Sequence, residues 1–387
     1  MKRICIDARY IFPQMDGIGR YLYNLIDQIT TITSGTNEYH FIILEVDEFA
    51  DSSLLRNFDD RKNITFIKIP VKPQTIKNHF IGKYLKNLQI DLYHYPQFDL
   101  PWFVSGFKIV TSILDMNPQR MPGFFPTKIG WIKKYYAILT NWVALKKSDK
   151  LITISESTKQ ELMEFYNFHT SDKIQSVHLG VDAKFFDLSA KEVLSKIIGE
   201  LKIKYNFKRY FLYVGNNRPH KNLERVLTAF KAVLSQLDFE LKFLLVGRQL
   251  KNNLDIDSLL MGIGLKENVI SLELSDEELN AVYSDAEAFV FCSLSEGFGL
   301  PVLEAMALGC PVITSNLSSM KEIAEGSALM ADPYSIKNIE ENMLKLLTDA
   351  KLKQELIVKG LNNACSFTWE KCAEETLSVY SALLNNY

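Results

Sequence analysis

Short apolar runs alternate with amphipathic stretches along most of this chain. In the first half, apolar runs of strand length fall at 2–8, 40–46, 64–70, 91–95, 107–114, 150–155 and 174–178. In the second half they fall at 211–215, 242–247, 268–274, 288–293, 311–315 and 328–332. Runs of this length that are separated by helical patterns are typical of βαβ units, in which helices cover both faces of a parallel sheet.

Helical periodicity fills the stretches between these runs. It is clearest at 17–32, 127–147 and 156–166, and in a final amphipathic segment at 367–384. The lysine-rich segment 184–209 contains no strand-like run, so we interpret it as the connection between two series of strands. The pattern predicts an α/β fold with two Rossmann-like doubly wound domains, at 1–185 and 186–366, whose strand ends face a central cleft.

Composition and charge narrow the classes of function. The 387 residues exceed what one hydrophobic core usually spans, which supports two domains. A net charge of −2 disfavours a general nucleic-acid binder, which needs a basic surplus. The five cysteines form no CxxC pair, so a reducing compartment is expected rather than a zinc ribbon or a disulfide framework. The N-terminus does not resemble a signal peptide, and no stretch approaches about 18 uninterrupted apolar residues, so we expect a cytoplasmic protein.

The loop after the fourth apolar run of the second half carries the most distinctive residues of the chain. Gly297 and Gly299 allow a tight turn there, and Pro301 suits the first position of a helix. Backbone N–H groups at such a helix N-terminus bind anions. Glu296 and Glu304 flank the turn, and carboxylates accept hydrogen bonds from the vicinal hydroxyls of a sugar or ribose. The alternative is that both glutamates simply lie at a helix N-terminus and interact favourably with its dipole.

The sequence around this loop, EGFGLPVLEAMALGCPVITSN (296–316), resembles the Glu-x7-Glu signature of glycosyltransferase family four. This family comprises retaining, nucleotide-sugar-dependent enzymes with the GT-B fold. Other segments are similar to further landmarks of the family: MDGIGRY (15–21), DLYHYPQFDLP (91–101), LITISESTKQEL (151–162), VHLGVD (177–182), YVGNNRPHKN (213–222) and FTWEKCAEETLSVY (367–380). The last of these resembles a terminal helix that crosses back onto the N-terminal domain, which implies that 367–387 packs there.

The resemblance implies roles for the residues of the long motif. Glu304 would hold the ribose hydroxyls of the nucleotide, and Glu296 would hold the transferred sugar near its anomeric carbon. The N–H groups of Phe298, Gly299 and Leu300 would complete the contacts to sugar and phosphate. On this interpretation the two glutamates are clamps on one donor molecule rather than an acid and a base.

Two basic residues and two glycines complete the implied donor site. Lys221 matches the lysine of the family that binds the diphosphate, and Arg218 is the nearest candidate for its arginine partner. Together they would neutralise the charge that develops on the leaving nucleoside diphosphate. The alternative for Arg218 is a solvated loop charge. Gly17 and Gly19, after the first strand, would approach the diphosphate or the acceptor.

One position departs from the family pattern. The family commonly has a His-Asp pair after the fifth strand of its N-terminal domain; here Leu114 stands in the place of the histidine and Asp115 in the place of its partner. Leucine neither donates nor accepts hydrogen bonds, so a proton shuttle is absent at this position. We hypothesise a front-face displacement in which the leaving phosphate takes the acceptor proton. Asp115 either orients the acceptor or accepts hydrogen bonds from backbone amides of its own turn.

No metal or other cofactor is expected. The Asp-x-Asp motif of metal-dependent transferases occurs only as a short match at 255–257, where a helical, solvent-facing stretch is predicted. The six histidines have no ligand spacing, so they do not indicate a metal site. Among them, His94 lies in the segment DLYHYP, where it either lines the cleft or packs beside the neighbouring aromatic residues.

The segment 127–150 combines aromatic residues with lysines: Trp131, Tyr135, Tyr136 and Trp142 with Lys128, Lys133, Lys134, Lys146 and Lys147. Helical spacing puts the aromatic residues on one face and the lysines towards another. Two interpretations stay open. Either the segment contacts an anionic membrane surface that presents a lipid-linked acceptor, at the inner face of the membrane, or the aromatic face packs on the core and the lysines face water.

The expected function is transfer of a hexose, with retention, from a nucleotide diphosphate sugar to a glycan or lipid-linked acceptor in bacterial surface polysaccharide or lipopolysaccharide synthesis. GDP-mannose is favoured over uridine-nucleotide donors because SEGFGLP is common among mannosyltransferase-like members of the family. The alternatives are a UDP-sugar-dependent transferase that acts on a small soluble acceptor, and a non-enzymatic nucleotide-sugar binding protein. A dinucleotide oxidoreductase is disfavoured because DGIGRYLYN lacks the third glycine of its fingerprint.

Overall fold

The computed structural model describes residues 1–12, 17–52, 54–186, 191–247 and 254–385 of the chain. These residues divide into two compact units. Unit 1 comprises Met1–Gln119, Trp131–Gly180 and Trp369–Tyr387, and unit 2 comprises Arg120–Gly130 and Val181–Thr368. The sequence placed the first boundary after residue 185 and kept 120–130 in the N-terminal domain, whereas the contacts group 120–130 with unit 2. The first two residues of the MDGIGRY segment lie outside the described residues.

The described residues of unit 1 form a seven-stranded parallel sheet. Its strands are β1 (Lys2–Asp7), β2 (Tyr39–Val46), β3 (Ile64–Ile69), β4 (Leu92–Tyr95), β5 (Lys108–Ile113), β6 (Lys150–Thr153) and β7 (Ile174–Ser176). In space they lie in the order β3-β2-β1-β4-β5-β6-β7, so the strand order reverses between β1 and β4. The central strands are buried along nearly their whole length, because helices cover both faces of a doubly wound sheet.

Unit 2 has the same architecture. Its described residues form a six-stranded parallel sheet from β8 (Tyr210–Val214), β9 (Lys242–Val246), β10 (Val269–Leu272), β11 (Ala288–Phe291), β12 (Val312–Ser315) and β13 (Leu329–Ala331). The strand order β10-β9-β8-β11-β12-β13 places the reversal between β8 and β11. Parallel neighbours joined by helical crossovers account for this order.

The helices of both units follow in chain order. They are α1 (Gly17–Ile32), α2 (Gly82–Leu85), α3 (Asn117–Arg120), α4 (Gly130–Lys147), α5 (Glu156–Tyr166), α6 (Lys191–Lys204), α7 (Leu223–Leu234), α8 (Ile256–Ile263), α9 (Asp276–Asp285), α10 (Leu300–Ala307), α11 (Ser318–Ala324), α12 (Ile336–Thr348), α13 (Ala350–Ala364) and α14 (Trp369–Leu384). Local chemistry sets their ends. Helix α5, for example, begins after Ser155, whose hydroxyl accepts a hydrogen bond from the Thr158 N–H, and ends at the left-handed residue Asn167.

The fold class predicted from the apolar pattern is confirmed. Each of the thirteen predicted runs overlaps one strand, and the four predicted helices correspond to α1, α4, α5 and α14. Helix α4 begins at residue 130 rather than 127. The segment 184–209 has no strand, as expected, but it contains α6, which packs on α9 within unit 2 and which the sequence analysis did not identify. Helix α14 belongs to unit 1 and packs on α1.

A buried polar network holds α14 on the sheet of unit 1. The Nδ1 atom of His94 in β4 lies 2.6 Å from the Tyr380 hydroxyl of α14, and its Nε2 atom lies 2.8 Å from the Ser112 hydroxyl of β5. The Tyr21 hydroxyl of α1 lies 2.9 Å from the same Ser112 hydroxyl. Burial lowers the pKa of His94 to about 3, so the ring is neutral at pH 7. Of the two interpretations of His94, the packed one is therefore what the structure shows.

A second buried network occupies the point of unit 1 where β1 and β4 meet. The guanidinium of Arg9 donates to Asp7 Oδ2 at 2.7 Å and to the Asn78 carbonyl oxygen Oδ1 at 2.8 Å. Beside it, the Tyr10 hydroxyl donates to Asp99 Oδ1 at 2.6 Å. All five side chains are buried. Charged and polar side chains of unit 1 thus pack against one another at the point where its strand order reverses.

Replacing Tyr380 by phenylalanine tests the role of the first network. The substitution leaves the buried Nδ1 atom of His94 without its partner, so we expect the free energy of opening of α14 to fall by about 1–3 kcal/mol. Hydrogen exchange of the α14 amides measures this opening. Tyr334→Phe, at an exposed tyrosine, is the control. Equal exchange in the two variants would contradict the network's role.

Candidate functional site

The candidate site lies where the strand order of unit 2 reverses. Strands β8 and β11 are neighbours in the sheet although β9 and β10 separate them in the chain. The loops that follow β8 and β11 therefore leave adjacent carboxyl ends, which is the usual ligand crevice of a doubly wound sheet. The loop after β8 carries Arg218 and Lys221, and the loop after β11 carries Glu296.

Lys221 and Glu296 meet at this point although 75 residues separate them in the chain. The Nζ atom of Lys221 lies 2.7 Å from Oε1 of Glu296, and the two side chains are only 13% and 12% exposed. The same ammonium group lies 4.9 Å from the ring centroid of Phe291 in β11. The family resemblance implies that the two residues bind different parts of a donor, and the structure joins them as an ion pair shielded from water.

The ion pair fixes the protonation state of the site. Burial by itself would raise the pKa of Glu296, but the positive charge of Lys221 and its hydrogen bond outweigh burial and hold that pKa below its usual value. His220 is also buried, and burial lowers the pKa of its imidazole to about 4. At neutral pH, Lys221 rather than His220 therefore carries the positive charge beside the ionised Glu296.

Two serine hydroxyls tie the main chain of Glu296 to the start of α11, the helix that follows β12. The hydroxyls of Ser318 and Ser319 each donate to the carbonyl oxygen of Glu296 at 2.9 Å. The N–H of Glu296 in turn donates to the Ser318 hydroxyl at 3.3 Å. These contacts hold the main chain of Glu296 in place, so the position of its carboxylate does not depend on the ion pair alone.

Asn222 holds the loop that carries Lys221 in place. This residue is buried, and its side-chain amide donates to the carbonyl oxygens of Cys292 at 3.0 Å and Pro333 at 2.7 Å. Its left-handed backbone conformation lies between the short helical turn that ends with Lys221 and the first residue of α7. Asn222 therefore fastens the Lys221 loop to the end of β11, from which the Glu296 loop begins.

The glycine turn leads into α10, whose N-cap residue, Gly299, has no side chain to cap the helix. Gly299 has a φ of 113°, a backbone conformation that residues other than glycine rarely adopt, so the turn favours glycine. A Cβ atom at this position would also press on the side chain of the buried Met320. Leu300 is the first residue of α10, which puts Pro301 at the second helical position rather than the predicted first. The first N–H groups of an uncapped helix are suited to an anion.

The remaining residues of the motif are buried. Glu304 lies in the second turn of α10 and is 6% exposed. The ring of Phe298 packs edge-on against Phe367, with centroids 5.9 Å apart. The side chain of Phe298 therefore belongs to the core of unit 2, and its predicted contact with a donor can come only from its backbone.

Arg218 contacts an aromatic residue from a distant part of the chain. Its guanidinium lies 4.4 Å from the ring centroid of Phe124, which belongs to the 120–130 segment of unit 2. The ring of Phe124 also stacks on His220, with an angle of 21° between the planes and centroids 6.0 Å apart. The guanidinium is thus packed on a ring rather than fully solvated, which disfavours the solvated-charge alternative for Arg218.

The other predicted site residues belong to unit 1. Gly17 and Gly19 lie in the first turn of α1, where Gly17 is exposed and Gly19 is buried. Leu114 and Asp115 follow β5. The Asp115 carboxylate accepts a hydrogen bond from the Asn117 N–H at 2.9 Å. Of the two roles considered for Asp115, this contact fits the one in which it accepts hydrogen bonds from backbone amides of its own turn.

Four residues of this arrangement were not identified from the sequence: Ser318, Ser319, Asn222 and Phe124. Asn222 directly follows Lys221, and the serine pair follows a strand, so both had a positional signal; the contact of Phe124 had none. In the described residues, no group of three or more His, Cys, Asp or Glu side chains is gathered as a metal site. Asp255, from the short Asp-x-Asp match, caps the N-terminus of α8.

Comparisons with protein families account for both halves of the chain. A family model described as "Glycosyltransferase Family 4" matches residues 15–185, and one described as "Glycosyl transferases group 1" matches residues 200–362. The second match contains Arg218, Lys221, Glu296 and Glu304. The first contains the glycine loop and the Leu114–Asp115 pair.

Individual proteins resemble the chain to different extents. O-antigen chain mannosyltransferase B of Escherichia coli is 28% identical over 302 residues, which are 77% of this chain and 76% of that protein. Serotype-specific mannosyltransferase WbdA of Escherichia coli is 30% identical over 247 residues, so that match covers 62% of this chain but only 30% of the relative. A sucrose-phosphate synthase from Thermosynechococcus elongatus has a similar fold over the whole of both chains, with a TM-score of 0.74 at 18% identity.

A pair of substitutions tests how strongly Lys221 and Glu296 depend on each other. Lys221→Met leaves a buried carboxylate without its counter-charge, so we expect a loss of about 3–5 kcal/mol in the free energy of unfolding of unit 2. Adding Glu296→Gln should recover most of this loss, because the uncompensated charge is removed. Chemical denaturation of the single and double variants measures the coupling.

The matched control is the pair of Lys202 and Asp285, which lie 2.7 Å apart but are 30% and 34% exposed. Lys202→Met should cost less than about 1 kcal/mol. A cost for Lys221→Met as small as this, or no recovery in the double variant, would show that the Lys221–Glu296 pair is not a coupled buried pair.

Proposed function

This chain belongs to glycosyltransferase family four, and from that premise we propose that it is a retaining hexosyltransferase that takes its sugar from a nucleotide diphosphate donor. The observation that carries the proposal is the Lys221–Glu296 pair at the β8–β11 switch point. It unites a cation suited to a diphosphate and a carboxylate suited to sugar hydroxyls, beside the uncapped N-terminus of α10.

The pair supports the proposal because a nucleotide-sugar donor carries groups that can replace each residue as the partner of the other. A diphosphate carries more negative charge than one carboxylate, so it can take the ammonium of Lys221. Hydroxyls of the transferred sugar can then donate to Glu296, which keeps the carboxylate hydrogen-bonded after it loses the lysine. Arg218 adds a second positive charge from the same loop.

The proposed chemical step needs no protein base. The acceptor oxygen bonds to the anomeric carbon on the face from which the diphosphate leaves. The bond between that carbon and the phosphate oxygen breaks, and the departing phosphate takes the acceptor proton. Lys221 and Arg218 stabilise the negative charge of the leaving group. Leu114 supports this route because its side chain can neither accept nor donate a proton.

Mannose is the sugar we propose. Two relatives at 28% and 30% identity are named mannosyltransferases, one of them for an O-antigen chain. We therefore propose GDP-mannose as the donor and a glycan or lipid-linked glycan of a bacterial surface polysaccharide as the acceptor. A UDP-sugar donor with a small soluble acceptor is the alternative.

A screen of nucleotide sugars tests the proposal. We expect slow hydrolysis of GDP-mannose, measured as GDP release and compared with release of UDP or ADP from other donors. Glu296→Gln should lower kcat about 100- to 1,000-fold, because the carboxylate that contacts the reacting sugar is lost. Donor binding should persist in this variant, since Lys221 keeps its charge.

Glu224→Gln is the matched control, because Glu224 is an exposed carboxylate on α7, three residues after Lys221. Its turnover should equal that of the unmodified protein. If no nucleotide sugar is hydrolysed or bound, the proposed function is wrong. If a donor is bound but neither hydrolysed nor transferred, the non-enzymatic sensor is supported instead.

Removal of divalent cations tests the proposal that no metal takes part. The positive charge for the leaving diphosphate is assigned here to Lys221 and Arg218, so we expect turnover to stay within about twofold when EDTA is added. Loss of activity in EDTA, with recovery on addition of Mg²⁺ or Mn²⁺, would contradict metal independence.

A further inference from the structure

Helix α4 has its large apolar residues on the wrong side for an ordinary surface helix. Most of the side chains that face the rest of unit 1 are small or polar and are buried: Ala137, Thr140, Asn141 and Ala144. Leu145, near the end of the helix, is a large apolar side chain that packs in the core. The large side chains recur at helical spacing on the opposite side and are exposed: Trp131, Tyr135, Leu139 and Trp142. Trp131 and Tyr135 are 64% and 66% exposed. The alternative in which the aromatic side packs on the core is therefore wrong.

The exposed apolar surface continues beyond α4. The Tyr136 hydroxyl lies 2.9 Å from Nε2 of His79, and the His79 ring stacks on Trp102. The next residue on each of those two segments, Phe80 and Phe103, form an exposed stacked pair with centroids 4.9 Å apart. We call the exposed rings of this surface the aromatic face: Phe80, Phe103, Trp131, Tyr135, Trp142 and Phe165. Contiguous exposure of this kind marks an interaction surface.

A groove runs along one part of the aromatic face. It lies between α4 and α5, has a volume of about 580 Å³, is open to solvent, and is lined by Tyr135, Ile138, Leu139, Trp142, Phe165 and Tyr166. The hydroxyl of Tyr166 is already used, because it donates to the carbonyl oxygen of Ile138 at 2.9 Å. The groove therefore offers a ligand mainly hydrocarbon and ring surface.

The charge around the aromatic face is strongly positive. The segment 127–150 contains six lysines and one aspartate, and the segment 72–90 contains four lysines and no acidic residue. Lys146 lies on the outward side of α4, with its ammonium 5.9 Å from the ring of Trp142, and Lys134 borders that side. None of the salt bridges among the described residues uses either lysine. Glu164, next to Phe165 on α5, is an exposed acidic residue at the edge of the groove.

From these observations we propose that the aromatic face of unit 1 docks on an anionic phospholipid bilayer, with a lipid hydrocarbon chain in the α4–α5 groove. Tryptophan and tyrosine favour the boundary between headgroups and hydrocarbon, and each lysine near an anionic surface adds attraction. No helix in the described parts of the chain is long and apolar enough to cross a bilayer, so the contact is with the bilayer surface. The inference rests on the proposed function only in that a lipid-linked acceptor gives the contact a purpose.

The experiment is sedimentation of the full chain with vesicles, measured without donor or acceptor. We expect binding to vesicles of phosphatidylcholine with phosphatidylglycerol, weak binding to phosphatidylcholine alone, and loss of binding at high salt. Brominated lipids report insertion, because Trp131 and Trp142 are exposed, whereas Trp102 is only partly exposed and Trp369 is buried. Their fluorescence should be quenched, and the double variant Trp131→Phe/Trp142→Phe should lose this quenching.

Two pairs of variants separate the apolar and charged parts of the contact. Tyr135→Ser/Trp142→Ser should lower the partition coefficient at least tenfold through lost apolar contact. Lys134→Glu/Lys146→Glu should lower it roughly a hundredfold, since reversal removes two attractions and adds two repulsions. The matched controls are Tyr334→Ser for the aromatic pair and Lys345→Glu/Lys351→Glu for the charges, at exposed positions of unit 2. Both controls should bind as the unmodified protein does.

Each outcome decides the inference. Failure of the unmodified protein to bind anionic vesicles, or unchanged binding in both double variants, would overturn it. Self-association that the aromatic variants abolish, without vesicle binding, would assign the face to a second copy of the chain and would also overturn it. Donor hydrolysis, measured in buffer without vesicles, tests the proposed function separately from the docking surface. Vesicle binding without donor hydrolysis refutes the proposed function alone. Donor hydrolysis without vesicle binding refutes the docking surface alone.

Discussion

The buried ion pair between Lys221 and Glu296 is the constraint on which the candidate site depends. Neither charge is stable in so shielded a place without the other, because the cost of removing an ion from water is met only by a close partner. The pair therefore requires the loops after β8 and β11 to hold one relative position. The surrounding contacts serve this requirement: Asn222 fastens the lysine loop to the end of β11, and two serine hydroxyls hold the backbone of Glu296.

The same pair links fold to function. The strand order of unit 2 brings the two loops together, and the glycine turn places the uncapped end of α10 beside them. An ion pair of opposite charges keeps the site neutral and holds each side chain near the place where a donor would need it. Arg218 is held in a comparable way, because Phe124 presents its ring to the guanidinium. The segment that carries Phe124 is grouped with unit 2, although residues of unit 1 precede and follow it in the chain.

Much of this was readable from the sequence, and the limits have physical causes. Continuous apolar runs identify buried parallel strands, so the two sheets were predictable, as were the loops at their carboxyl ends. The pairing of Lys221 with Glu296 was not, since spacing along a chain does not reveal which side chains from different loops touch. The orientation of α4 was left open for a related reason. Periodicity separates aromatic residues from lysines, but only packing shows that Ala137 and Ala144 face inward while Trp131 and Trp142 face water.

In the proposed donor complex, Lys221 leaves Glu296 and binds the diphosphate of the nucleotide. Calorimetric titration with GDP, UDP and ADP tests it most directly, with the unmodified protein compared with Lys221→Met and Glu296→Gln. We expect the unmodified protein to bind one of these nucleotides. Lys221→Met should weaken that affinity at least about tenfold. Glu296→Gln should bind the nucleotide as tightly as the unmodified protein or more tightly, because the carboxylate that competes for Lys221 is gone. Absence of binding by the unmodified protein, or equal affinity in Lys221→Met, would contradict the claim.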